Sequence, residues 1–323
     1  ALCILLMLLT VVLAGCASDF KKLTGEVVVY AVCDSSRRSS YLLLGNDIAG
    51  QPLSKVKLGP HIPASITYID PFIFIPTSQD IGGKYAPSEW VYYVNVYDGK
   101  QGRFQVGWHP LQVLRYQDYI VVLSDSAGGR IHLEFYDLSF NLVKKMITQG
   151  DIRYLQKDSL IIGDNLFLVA SGTLFQINLA DDLTPQPMRF PDQWAWVSIA
   201  EWDGKLVASD RRGLWIVNPD TLVIEQAYPF PFERQGHGLS LIVGNYLLVG
   251  DTYSKQAVHF NLRDATMKYL TFDRMPTHMS IVGEHIYVSH HDGITILDHA
   301  VNIVETRSIN GRFLSNFVAL GLN

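Results

Sequence analysis

Short apolar runs alternate with polar turns along nearly the whole chain beyond residue 25. Residues 239–272, LSLIVGNYLLVGDTYSKQAVHFNLRDATMKYLTF, show the unit most plainly. Apolar or aromatic runs at 239–243, 246–250, 256–262 and 266–272 are each too short for a helix that would bury one face. Each is rich in Val, Leu, Ile, Tyr or Phe and is bounded by Gly, Asn or Asp. That is the pattern of strands joined by tight turns. The turns are expected at Gly244-Asn245, in the polar loop 251–255, and at 263–265.

The same unit recurs. Strands are predicted at 26–33, 39–46 and 54–58, then at 65–69, 72–76, 90–97 and 103–107. A third set falls at 111–116, 119–124, 131–137 and 142–148. After a linker at 149–158 come 159–163, 166–171, 173–178 and 186–190, then 196–201, 205–210, 213–218 and 223–228. The stretch at 239–272 follows, and then 279–282, 285–290, 293–298 and 302–309. In each set the third strand ends in an Asp or Asn turn: Asn46-Asp47, Asp98-Gly99, Asp137, Asn178, Asn218-Pro219, Asn261 and Asp298. The markers recur at roughly 35–50 residues, the repeat expected of propeller blades. Several second strands, such as Tyr119-Ile120-Val121-Val122-Leu123, are apolar without alternation, as strands buried on both faces are. These features predict an all-β fold: a seven-bladed β-propeller of four-stranded antiparallel blades. The first set lacks one strand, and one apolar run, 313–320, is left over at the C-terminus. That run is expected to return as the innermost strand of blade one and close the ring, which removes exposed sheet edges. No stretch carries a sustained 3.6-residue period with caps.

The first residues differ in kind. Residues 2–14, LCILLMLLTVVLA, carry no charge but fall short of the roughly 20 apolar residues of a spanning helix, which suits a signal-peptide core. The recorded chain is expected to begin inside that signal. The run ends in Leu13-Ala14-Gly15-Cys16, which resembles the lipobox of bacterial lipoproteins. The resemblance implies cleavage before Cys16 and lipid attachment to its sulfur. The expected organisation is a signal peptide over 1–15, a lipidated Cys16 with a short tether over 16–24, and a propeller over 25–323. Several acyl chains on one residue would hold a membrane firmly, unlike a single chain. Localisation follows as an expectation: the bacterial cell envelope, outside the cytoplasm, at the outer membrane if the cell has two. Cys33 is then the one cysteine of the mature domain, so no internal disulfide is expected, and Cys33 itself reads as a buried small hydrophobe.

Segments such as Asp203-Gly204-Lys205-Leu206-Val207-Ala208-Ser209 and Asp292-Gly293-Ile294-Thr295-Ile296-Leu297-Asp298 resemble the YVTN/quinoprotein-like propellers. The likeness spans about residues 26–320. That superfamily includes dehydrogenase subunits, lyases, lactonases and pure binding scaffolds, so the resemblance implies a fold and leaves function open.

Charge and motifs narrow the field. Of 323 residues, 18% are charged, and the formal net charge is −5, without the basic stripe of a nucleic-acid binder. No Cys-x-x-Cys-His haem site, Gly-x-Ser-x-Gly elbow, His-Glu-x-x-His motif or EF-hand loop occurs. No cofactor, metal or catalytic residue is therefore assigned. Asp181-Asp182 reads as a solvated turn. The histidines are more informative. In a propeller the fourth-to-first and second-to-third connections open on one face. His61, His109, His237 and His278 lie at or just before first strands, and His290-His291 lie in a second-to-third connection. Six of the ten histidines thus map to one face, with Arg211-Arg212 in an equivalent connection. Taken alone, each histidine has an ordinary alternative as a strand-capping residue. Phe230, Phe232, Trp194 and Trp196 lie nearby and read first as packing residues. Taken together, His61, His109, Arg211, Arg212, His237, His278, His290 and His291 form the candidate ligand-binding set, suited to a glycan or anionic ligand. The leading expectation is a membrane-anchored scaffold binding an envelope protein or glycan on this face. The alternatives are an enzyme of lactonase or lyase type using the same His/Arg face, and an outer-membrane assembly factor.

Overall fold

The computed structural model describes residues 25–33, 39–46, 52–80, 88–126, 130–148, 155–170, 173–180, 184–188, 198–209, 212–230, 238–251, 254–308, 312–313 and 317–322. Cys16, Arg211 and His237 lie outside these residues. Seven antiparallel sheets follow one another along the chain and close into a ring. The protein is a seven-bladed β-propeller, and no helix occurs among the described residues.

Blade one is built of Gly25–Cys33, Ser40–Gly45 and Ser54–Gly59, with Val318–Leu322 and Arg312–Phe313 on its inner edge. Blade two has Phe72–Asp80, Trp90–Asn95 and Gln101–Gln105, and its inner strand is split into His61–Pro63 and Thr67–Ile69. Blade three is Pro110–Tyr116, Tyr119–Ser126, Arg130–Tyr136 and Leu142–Ile147. Blade four is Leu155–Ile162, Asn165–Ala170, Thr173–Asn178 and Gln186–Met188. Blade five is Ser198–Trp202, Lys205–Ser209, Gly213–Val217 and Ile224–Pro229. Blade six is Gly238–Val243, Tyr246–Asp251, Gln256–Asn261 and Met267–Thr271. Blade seven is His278–Val282, His285–His290, Gly293–Asp298 and Ile303–Ser308.

The C-terminal strand closes the ring: Val318 to Leu322 pairs antiparallel with Val29 to Gly25, and Phe313 pairs with Val32. Two boundaries differ from expectation. The inner strand of blade two begins at His61, not 65, because a register shift at Ile62/Pro63 breaks one strand into two pieces. Proline supplies no N–H to the ladder, so a bulge there is the natural outcome. The inner strand of blade four begins at Leu155, inside the expected linker, with an irregularity between Leu155 and Ser159.

The Asx markers have a direct physical cause. After the third strand the chain turns tightly, and the side-chain oxygen accepts backbone N–H groups that the turn leaves unpaired. Asp137 Oδ1 accepts from Ser139 N at 2.8 Å and Asn141 N at 2.9 Å. Asn218 Oδ1 accepts from Asp220 N and Thr221 N, Asn261 Oδ1 from Arg263 N, and Asp298 Oδ1 from Asn302 N. In blade two the capping residue is Asn95, three residues before the expected Asp98: Asn95 Oδ1 accepts from Tyr97 N at 2.9 Å. Third strands also demand a close approach. At Gly293 a Cβ would meet Arg307 O at 2.5 Å, and at Gly213 it would meet Tyr228 O at 2.8 Å, so each fourth strand lies against a bare backbone.

The core lies between blades, and the second strands explain how. Ile120, Val121, Val122 and Leu123 are all fully buried. Val121 and Leu123 join Leu166, Leu168 and Ala170 of blade four. Ile120 and Val122, on the opposite face, join Phe74 and Val91 of blade two. A period-two strand with both faces covered needs no polar face. Analogous clusters join blades one and two, four and five, five and six, six and seven, and seven and one. One interface also carries a buried charge. Glu134, 2% exposed, accepts from Gly107 N at 2.7 Å, from the Tyr136 hydroxyl at 2.9 Å and from Lys145 Nζ at 2.5 Å. Gly107 belongs to the connection between blades two and three, so this carboxylate ties the two blades together.

Candidate functional site

Inner strands surround the ring axis, so their side chains decide what the axis presents. A cavity of about 300 Å³ lies there, lined by inner-strand residues of blades two to seven. Its polar wall is Ser65, Thr67, Gln112, Ser159, Ser240 and Ser280, with His278 beside them; Ile66, Leu160, Ile199 and Met279 supply apolar wall. None of the lining residues is Asp, Glu, Lys or Arg.

Most of this polar wall stitches neighbouring blades together. Ser65 Oγ donates to Leu111 O at 3.0 Å, joining blade two to blade three. Gln112 Nε2 donates to Ser159 O at 2.8 Å, joining three to four. Ser198, Ser209 and Ser240 form a triangle of hydroxyls at 2.5–3.1 Å that joins five to six. Ser280 Oγ donates to Phe317 O at 2.9 Å, joining seven to one. Ser40 Oγ donates to His61 O at 2.5 Å, joining one to two. Short side chains are needed here because each must reach a carbonyl of the adjacent strand without filling the axis. Two buried atoms of the wall have no partner: Gln112 Oε1 and Ser159 Oγ.

Of the described candidate residues, the register places His61, His109, Arg212, His278, His290 and His291 at or beyond the same ends of their blades. They do not share one environment. His278 is in the cavity wall. His61 packs on the Tyr92 ring, with centroids 6.0 Å apart. His109 has a left-handed backbone (φ 57°), its N–H donating to Ser88 O and its carbonyl accepting from Asp125 N. Arg212 is exposed, and its carbonyl accepts from Phe230 N. His291 is exposed. His290 points inward at 1% exposure, with Nδ1 against Met275 O at 3.0 Å and Nε2 against Thr295 Oγ1 at 2.8 Å. Burial holds its pKa below the ordinary imidazole value. His290 therefore acts as a structural bridge inside blade seven.

The charges at this end are of mixed sign. Arg274 pairs with Asp292 at 2.5 Å, and the half-buried Asp125, whose pKa is raised by desolvation, lies beyond His109. Among the described residues no cluster of His, Cys, Asp or Glu is disposed to hold a metal ion. Phe230 is a core residue between blades five and six, as a packing role requires. Trp194, Trp196 and Phe232 lie outside the described residues.

The cavity residues other than His278 were not among the sequence candidates. A signal for them exists: Ser followed by an aliphatic residue recurs in first strands at Ser65-Ile66, Ser159-Leu160, Ser198-Ile199, Ser240-Leu241 and Ser280-Ile281.

No family model matches the chain, and no curated protein matches it. Solved structures do. Apo AztD from Citrobacter koseri is 13% identical with a TM-score of 0.60, over 92% of this chain and 98% of that one. A virginiamycin B lyase from Staphylococcus aureus, made inactive by a histidine-to-alanine change and bound to quinupristin, is 13% identical with a TM-score of 0.60, over 77% and 85%. BamB from Moraxella catarrhalis is 14% identical with a TM-score of 0.58, over 90% and 85%. At such identities the likeness is one of fold: a propeller of the quinoprotein, BamB and streptogramin-lyase class.

Proposed function

We propose that the protein is a cell-envelope lipoprotein, held to the membrane through lipidated Cys16, whose propeller is a non-catalytic scaffold. Its ligand, an envelope protein or a glycan, is taken at the axial mouth where His61, His109, Arg211, Arg212, His237, His278 and His291 gather. The observation that carries this reading is the axial cavity, with His278 in its wall and a belt of cross-blade hydrogen bonds around it. Such a belt gives a rigid, preorganised frame, which lowers the ordering cost of binding. His290 stands behind the mouth as a support.

A second reading keeps the enzyme of lactonase or lyase type. His278 favours it, as the one candidate imidazole placed against the cavity, where it could act as a general base. A role as an outer-membrane assembly factor has the BamB fold likeness in its favour.

The test has two arms. Cys16→Ser should release the chain into the soluble fraction or leave an unprocessed precursor; unchanged detergent partitioning with normal processing would refute the anchor. Envelope extracts cross-linked to the intact protein should yield a partner whose capture is lost when His109, His278 and His291 are replaced by alanine together. Undiminished capture by that folded variant would move the site off the axial mouth.

A further inference from the structure

We propose that the axial cavity binds a neutral, hydroxyl-rich ligand of the sugar or polyol type, and that a ligand hydroxyl donates to Gln112 Oε1. This rests on the reading of the axial mouth as the binding end and names the chemistry that end selects.

The argument starts from the orientation of one amide. Gln112 Nε2 donates to Ser159 O at 2.8 Å. Exchanging the two ends of the amide would set Oε1 against that carbonyl, oxygen on oxygen, so the contact fixes which end remains. The remaining end is Oε1, buried and without a partner in the cavity wall. Ser159 Oγ, on the next blade, is in the same state. Native interiors satisfy nearly all buried polar atoms, so two orphans on one cavity mark a place where something else completes the bonding.

The orphans choose the partner. An amide oxygen accepts and never donates. A carboxylate or an ionised phosphate oxygen also only accepts, and would meet Gln112 Oε1 with repulsion. The wall carries no Lys or Arg to offset that. A ligand hydroxyl donates to Gln112 Oε1 and can in turn accept from Ser159 Oγ. The C–H faces of a sugar ring match Ile66, Leu160 and Ile199, which interrupt the polar wall. A volume of about 300 Å³ lies at the small end of ligand pockets and equals roughly ten waters at liquid density.

The purified full chain is titrated calorimetrically with glucose, N-acetylglucosamine and glucitol, and in parallel with gluconate, inorganic phosphate and Ca²⁺, each to millimolar concentration. Glucitol and gluconate share a carbon skeleton and differ in charge. At least one neutral compound should bind, with gluconate weaker than glucitol by about tenfold or more. Gln112→Leu should weaken the neutral compound by a similar factor. Ser159→Ala removes a hydroxyl bonded to nothing in the protein, so it should keep the wild-type melting temperature and still lose affinity. That variant keeps the test decisive if Gln112→Leu fails to fold. The proposal is overturned if no neutral compound binds, which leaves a water-filled channel, if gluconate, phosphate or Ca²⁺ binds more tightly, or if both variants bind as wild type. Capture of an envelope partner that depends on His109, His278 and His291, alongside a silent sugar panel, would overturn this inference alone and leave the scaffold reading standing.

Discussion

Phe317→Ala tests the closure of the ring at a single side chain. Phe317 is 2% exposed and immediately precedes the closing strand Val318–Leu322. Its ring packs between Tyr30 of blade one, 6.2 Å away, and Tyr287 of blade seven, 6.4 Å away, within the cluster that also holds Val28, Val282 and Ile294. It is thus a wedge at the seam where the first and last blades meet. Truncating a buried phenylalanine costs about 3–5 kcal/mol, and the aromatic contacts place this site in the upper half of that range. The backbone carbonyl that accepts from Ser280 Oγ survives in the variant, so the loss reports packing and not the hydrogen bond. Against a typical domain stability of about 5–15 kcal/mol the loss is large. Equilibrium urea denaturation followed by intrinsic fluorescence measures it. Ile303→Ala is the control: Ile303 is 56% exposed on an outer strand, so its removal should change stability by no more than about 0.5 kcal/mol. Deleting residues 311–323 extends the test, since it removes the five pairs from Gly25↔Leu322 to Val29↔Val318 and bares both edges of the gap. That truncation should aggregate or fail to fold. If Phe317→Ala loses less than about 1 kcal/mol, or the truncated chain melts like the full one, the closing strand is not what holds the ring.

Two further outcomes follow from buried polar groups. Glu134→Ala should destabilise by roughly 2–4 kcal/mol in the same assay, because it strands the Gly107 N–H and the Tyr136 hydroxyl in the interface between blades two and three; a loss within error of zero would show that water replaces the carboxylate freely. Acidification should weaken the fold through His290, His132 and His259, all held below the ordinary imidazole pKa chiefly by burial. The unfolded chain then binds more protons than the folded one, so this stabilisation is complete above pH about 6.5 and is lost as pH falls through the lower folded values. Melting temperature should drop between about pH 7 and about pH 5, and His290→Gln should flatten the drop; an unchanged slope would assign it to other groups.

Local chemistry made the fold legible in the sequence. Each Asx turn satisfies its own backbone within a few residues, so Asp137, Asn218 and Asp298 mark the end of a third strand wherever they stand in space. Unbroken apolar runs such as Ile120–Leu123 announce burial on both faces without saying against what. The surplus C-terminal run and the incomplete first set together imply closure. The candidate site was legible only in part. Alternation along a strand sends neighbours to opposite sides, which is why His290 is an internal bridge while His291 meets solvent. The sequence shows the two side by side and says nothing of which faces in. Gln112 and Ser159 are unremarkable in their own segments. Their significance arises because blades three and four meet at the axis, where one amide end is consumed by a carbonyl of the next strand and the other is left without a partner. Turn formation and burial are properties of a few consecutive residues. The distance across a ring, and the polar atoms left over once every blade has bonded to its neighbour, are properties of all seven blades at once, and only the tertiary structure decides them.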